Sequence, residues 1–142
     1  MKKDVVVIIG AGGIGVAIAR RQGFGKTILL ADISSQALED AATLLKGASF
    51  DVHTQIVDVT SRASVRALAD KAASLGPVLQ LLNTAGLSPN MASPAKVLEV
   101  DLYGVALVFD EFEQVIAPGG SAIVISSMAG HMPAPLPAEQ EH

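Results

Sequence analysis

The stretch Val5–Gly15, VVVIIGAGGIG, joins an unbroken apolar, largely β-branched run to glycines spaced Gly10-x-Gly12-x-x-Gly15. A continuous run of this kind suits a parallel strand covered on both faces. Each glycine that follows has its own physical task. Gly10 permits a tight turn, Gly12 lets backbone approach a pyrophosphate with no Cβ in the way, and Gly15 allows the next helix to pack close to the strand. The helix N-terminus, beside Gly13 and Ile14, offers unpaired N–H groups and the positive dipole end to phosphate. The pattern alone is weak, because glycines also serve turns that bind nothing. Asp32 strengthens it. It follows a second apolar run, Thr27–Ala31, at about the 20-residue offset where an acidic side chain accepts hydrogen bonds from ribose hydroxyls. The competing role for Asp32 is a plain helix N-cap.

Lys2-Lys3 followed by an apolar stretch to Ala17-Ile18-Ala19 imitates a secretory signal with a small-residue cleavage site. Asp4 interrupts the charge-to-apolar transition, and the glycines fall in functional register, so the signal reading is set aside. No other apolar stretch is long enough to span a bilayer, and the chain is read as soluble and cytoplasmic, with no membrane partner. Its 142 residues fit one domain, and a net charge of −4 offers no basic surface for nucleic acid. Without cysteine there are no disulfides, thiolate nucleophiles or cysteine zinc sites, and His53, His131 and His142 show no ligand spacing, so no metal is expected. Hydrophobic residues make up 50% and charged residues 17%. That is apolar for a small solitary domain, so part of the surface is expected to be covered by another subunit or by further sequence.

Strand and helix signals alternate. Val5–Ile9 is followed by a helix over Ile14–Arg21, stopped by Gly23 and Gly25; Thr27–Ala31 is followed by a helix capped by Ser34 or Ser35 and running to Lys46, with Gly47 as C-cap. Val52–Val57 leads to Asp58-Val59 and a helix capped by Thr60 or Ser61 that ends at Gly76-Pro77. Val78–Leu82 predicts a fourth strand, Ala95–Ile116 a long helix, and Ser121–Ser126 a fifth strand after a Pro118-Gly119-Gly120 turn. Alternation of this kind means parallel pairing through right-handed crossovers. The fold class is therefore α/β, a Rossmann-type doubly wound parallel sheet with ligand at the carboxyl ends of the strands. From Gly130 the three-proline tail reads as a loop or disordered end.

The ordered series Gly10-Ala-Gly-Gly-Ile-Gly15, Asp32, Asp58-Val59, Asn83-Thr-Ala-Gly86, Val100-Asp-Leu-Tyr-Gly104 and Ile123-Val-Ile-Ser-Ser-Met-Ala-Gly130 resembles the short-chain dehydrogenases/reductases over essentially the whole chain. The resemblance implies that Asp58 meets the adenine amino group with the Val59 backbone beside it. It implies that Asn83, Ala85 and Gly86 belong to a turn closing the fourth strand against the cofactor ribose. Ser127 matches the family's catalytic serine, which hydrogen-bonds the substrate oxygen as charge changes there. Asp101 stands where the family commonly places an asparagine that helps hold a proton-relay water; it is either a site residue or part of a solvated helix face. The family's general acid/base pair, Tyr-x-x-x-Lys, is not in the chain: Tyr103 is the only tyrosine, with Leu107 four residues on. The expectation is that residues 1–130 are the dinucleotide-binding part of a longer single-domain enzyme.

The function implied is hydride transfer between nicotinamide and an alcohol or carbonyl substrate, in a homodimer or homotetramer. NAD is expected over NADP, because Asp32 would repel a 2′-phosphate and Ala31, Ile33 and Ser34 supply no cation for one. The alternative is a non-catalytic NAD-binding or regulatory domain without the Tyr/Lys pair. A methyltransferase also uses a glycine loop and an acid after the second strand, but the Asn83–Gly86 and Ser126–Gly130 segments speak against it.

Overall fold

In the computed structural model, residues 2–84 and 94–124 are described, with side chains excepted at 94–102 and 123–124. The elements are β1 (Val5–Ile9), α1 (Gly13–Gln22), β2 (Thr27–Asp32), α2 (Ser35–Gly47), β3 (Asp51–Ile56), α3 (Arg62–Leu75), β4 (Val78–Asn83), α4 (Pro94–Phe112) and β5 (Ile116–Val124). The strands form one sheet in the order β3-β2-β1-β4-β5, and every neighbouring pair is parallel. This is the doubly wound arrangement that the alternating sequence signals imply. β1 is fully buried along its length, as a central strand covered on both sides must be.

Side chains alternate across the sheet, and so the core is two layers. Val5, Val7, Ile9, Leu29 and Ala31 pack with Val65, Leu68, Ala69 and Ala72 of α3 and Leu107, Val108 and Phe112 of α4. Val6, Ile8, Ile28 and Leu30 face the other way, onto Ala19 of α1 and Leu38, Ala41 and Leu45 of α2. The period of two in each strand and the apolar stripe on each helix are thus satisfied together. Ser34 caps α2 by accepting from Ala37 N–H, and Ser61 caps α3 by accepting from Ser64 N–H.

β3 begins and ends one residue earlier than the sequence reading, and two further differences change the local geometry. α4 stops at Phe112, and β5 begins at Ile116 instead of Ser121. Pro118-Gly119-Gly120 therefore lies inside the strand. Val78 pairs with Ile116 and Gln80 with Ser121, so the extra residues form a bulge; Gly119, at φ +84°, supplies its left-handed residue, and Pro118 is tolerated where the ladder is interrupted. The second difference is at the end of α2. Gly47 remains helical, Ala48 is the C-cap, and Ser49 takes the left-handed conformation at φ +72°. The later turn lets Phe50 N–H reach Leu45 O and its ring pack against the α1/α2 layer.

Candidate functional site at the carboxyl edge of the sheet

The sheet order changes direction at β1, with β2 on one side and β4 on the other. The connections leaving β1 and β4 go to opposite faces, which opens a crevice at their carboxyl ends. Gly10, Gly12, Gly13, Ile14 and Gly15 make the β1–α1 turn at this edge. Gly10 has φ +115°, a conformation that favours glycine. A Cβ on Gly15 would run into the carbonyl oxygen of Gly10, so the helix can start this close to the strand only with glycine there. Gly12 and Gly13 differ: nothing lies within 4 Å of a Cβ built on either. Gly12 is the N-cap of α1 with no side-chain cap bond. Bare backbone and the positive end of a helix thus face open space, which is what an anionic ligand needs.

Asp32 closes one side of this loop. Its Oδ2 accepts from Ala11 N–H at 2.7 Å and its Oδ1 from Ser34 N–H at 2.9 Å. Ser34, and not Asp32, caps α2. The carboxylate therefore ties the glycine loop to the end of β2 and retains lone pairs for further donors. The next strand ends in a second small network. Asp58 Oδ1 accepts from Thr60 Oγ1 at 2.6 Å and from Thr60 N–H at 2.9 Å, while Asp58 N–H donates to Ser64 Oγ at 2.9 Å. The Thr60 hydroxyl bond, then the Thr60 amide bond, holds the Asp58 carboxyl below its usual range. Val59, beside it, packs against the α3/α4 core layer.

Asn83 ends β4, buried, in register with Ile9 and Val124. Thr84 follows, and both its N–H and its hydroxyl donate to Ile9 O, at 2.7 and 2.9 Å. The ends of β1 and β4 are so fastened to each other. The structure brings the glycine loop and Asp32 into direct contact. It places Asp58, Val59 and Asn83 along the same edge without a direct bond from Asp58 to that loop among the described residues. Asp101 lies on α4, one turn before Gly104, and its side chain is outside the described residues, as are Ala85, Gly86 and Ser127. Ser61, and not Thr60, caps α3. The sequence assigned no site role to Thr60, which it offered only as a helix cap, or to Ser64 and Thr84. Each is a short hydroxyl close to a strand end, and only the hydrogen bond it makes separates it from an ordinary surface residue.

A hollow of about 730 Å³ is lined by Arg62, Tyr103, Phe109, Asp110, Glu113 and Ile116; among the described residues, none of the candidate site residues lines it. Among the described residues no group of three or more His, Asp or Glu could hold a metal ion, and no helix is long and apolar enough to cross a membrane.

The family model for short chain dehydrogenases matches residues 4–138. The chain belongs to the short-chain dehydrogenase family. Among its relatives, the short-chain dehydrogenase/reductase bsc3 of Alternaria brassicicola is 45% identical over 131 residues, covering 92% of this chain and 48% of that protein. The cis-4-hydroxycyclohexanecarboxylate dehydrogenase of Sinomonas cyclohexanicum is 34% identical over 139 residues, 89% of this chain and 55% of that one. A short-chain dehydrogenase/reductase from Burkholderia phymatum, solved in complex with NAD, superposes with a TM-score of 0.78 at 30% identity, covering 93% of this chain and 52% of its own. The chain spans about half the length of the curated relatives that it matches.

Proposed function

We propose that the chain forms the dinucleotide-binding part of an NAD-dependent oxidoreductase that interconverts an alcohol and a carbonyl compound. The observation that carries this reading is the Asp32 carboxylate held between Ala11 N–H and Ser34 N–H beside open glycine backbone. The residues fit the group. Gly12, Gly13 and Ile14 at the start of α1 would take the pyrophosphate, Gly10 and Gly15 shape the turn, and Asp32 would accept from ribose hydroxyls. Asp58 and Val59 would meet the adenine, and Asn83, Ala85 and Gly86 the second ribose. NAD, when bound, supplies hydride acceptance and donation.

The chain's own residues have the remaining roles. Ser127 donates to the substrate oxygen as negative charge develops there. Asp101 holds a relay water, and its charge favours protonation of a neighbouring base. The NAD-bound Burkholderia relative and the hydroxy-acid dehydrogenase of Sinomonas support the cofactor and an alcohol-type substrate. The outward side of α4, where Tyr103 is 51% and Phe109 41% exposed, supports subunit contact in a homodimer or homotetramer.

Calorimetric titration with NAD and NADP tests the cofactor. Tighter binding of NAD is expected, and equal affinity or a preference for NADP overturns it. We place the general acid/base pair, Tyr-x-x-x-Lys, in sequence downstream of His142. An open reading frame that stops at His142 would replace the oxidoreductase with a non-catalytic NAD-binding domain.

A further inference from the structure

Gly104 lies in α4 where the helix passes over the turn that follows β3. A Cβ on this buried residue would stand 2.9 Å from Val59 Cγ2, 3.3 Å from Val59 Cβ and 3.4 Å from Val59 O. Half-buried Val59 cannot relieve the whole contact by turning its side chain. Its β-branched side chain has few χ1 choices, and rotation would move Cγ2 while leaving Cβ and the carbonyl in place. The backbone around it is also tied, by Asp58 N–H on Ser64 Oγ and by Thr60 N–H on Asp58 Oδ1. Glycine inside a helix is disfavoured relative to alanine, so what the residue secures here is the close approach.

We propose that Gly104 is a positioning residue for the adenine end of the dinucleotide site. The α4 backbone at Gly104 is the floor on which Val59 rests, and the height of Val59 sets that of the neighbouring Asp58 carboxylate at the edge of the sheet. The inference rests on the reading of Asp58 and Val59 as adenine contacts. Simple helix packing predicts that a larger residue at position 104 changes stability alone. Positioning predicts that it changes selectivity for adenine.

The full chain is titrated with NAD and with nicotinamide hypoxanthine dinucleotide, in which a carbonyl replaces the adenine amino group. The wild type should prefer NAD by about tenfold or more, the scale of a hydrogen bond to a charged acceptor. Gly104→Ala should reduce that preference to about threefold or less, a loss of roughly half of that bond's free energy, and Gly104→Ala/Val59→Ala should regain part of it by giving back the Cγ2 space. Val59→Ile approaches the same contact without altering α4 and should also lower the preference; it decides the matter if Gly104→Ala does not fold. A wild type that binds both dinucleotides equally overturns the adenine reading of Asp58. A wild-type preference retained in full by Gly104→Ala or, where that variant does not fold, by Val59→Ile overturns the positioning role alone.

Discussion

At the scale of single residues, Asp32 does two things at once. It holds the glycine loop through Ala11 N–H, and it is the acceptor proposed for the ribose. Asp32→Ala should lower NAD affinity by about tenfold or more, the scale of hydrogen bonds to a charged group, while NADP affinity falls less because the repulsion of a 2′-phosphate goes with it. Calorimetry with both dinucleotides reads the narrowing. Asp58 offers a pH test. Its carboxyl is held below the unfolded value, first by the Thr60 hydroxyl. Its contribution to stability is therefore complete above about pH 4, near the unfolded carboxylate value, and is lost as the pH falls through the folded one. Thr60→Val removes the hydroxyl, so its melting temperature should fall less steeply below about pH 4 than that of the wild type. A parallel pair of melting curves against pH would exclude this bond as the cause.

At the scale of elements, α3 and α4 are clamped by an ion-pair network. Arg62 meets Asp110 and Glu111, and Arg66 meets Glu111. The network is solvent-facing except at Glu111, whose side chain is 11% exposed. Salt should weaken it by screening. Melting temperatures at low salt and in 0.5 M salt, roughly a Debye length of 4 Å, should separate Glu111→Gln from the wild type more at low salt than at high. At the end of α2, Ser49 carries a positive φ, which costs an L-residue about 1–2 kcal/mol. Ser49→Gly should raise stability by up to about 1 kcal/mol after the extra entropy of glycine in the unfolded chain, as read by urea denaturation. Helix identities were legible from the spacing of their apolar residues, and β1 and β2 from short unbroken apolar runs bounded by glycine or charged residues. The α4–β5 boundary was not: Val115 and Ile116 suit an apolar helix face as well as a strand, and short apolar runs do not distinguish the two. Pairing of Ile116 with Val78, seen only in three dimensions, decides it.

At the scale of the whole molecule, the glycine loop, Asp32, Asp58 and Asn83 come from four separate strand ends and meet along one edge because the sheet is parallel. That convergence could be read from strand order alone, whereas the hydroxyl bonds of Thr60, Ser64 and Thr84 depend on local turns with no sequence period. A ligand held by several elements stabilises all of them together. NAD at about a hundred times its Kd should add about 2.7 kcal/mol to the free energy of unfolding, and a thermal-shift titration that stays flat would count against binding at this edge. The same topology governs the order of assembly. Val5 pairs with Thr27 early in the chain but with Val78 far along it, and closing so long a loop is slow. During synthesis, β1 emerges long before its second neighbour, leaving one side of the most apolar strand without a partner until β4 has been made. The middle of the native sheet is thus its aggregation-prone edge while the protein is being born, and chaperone demand should be greatest in that interval.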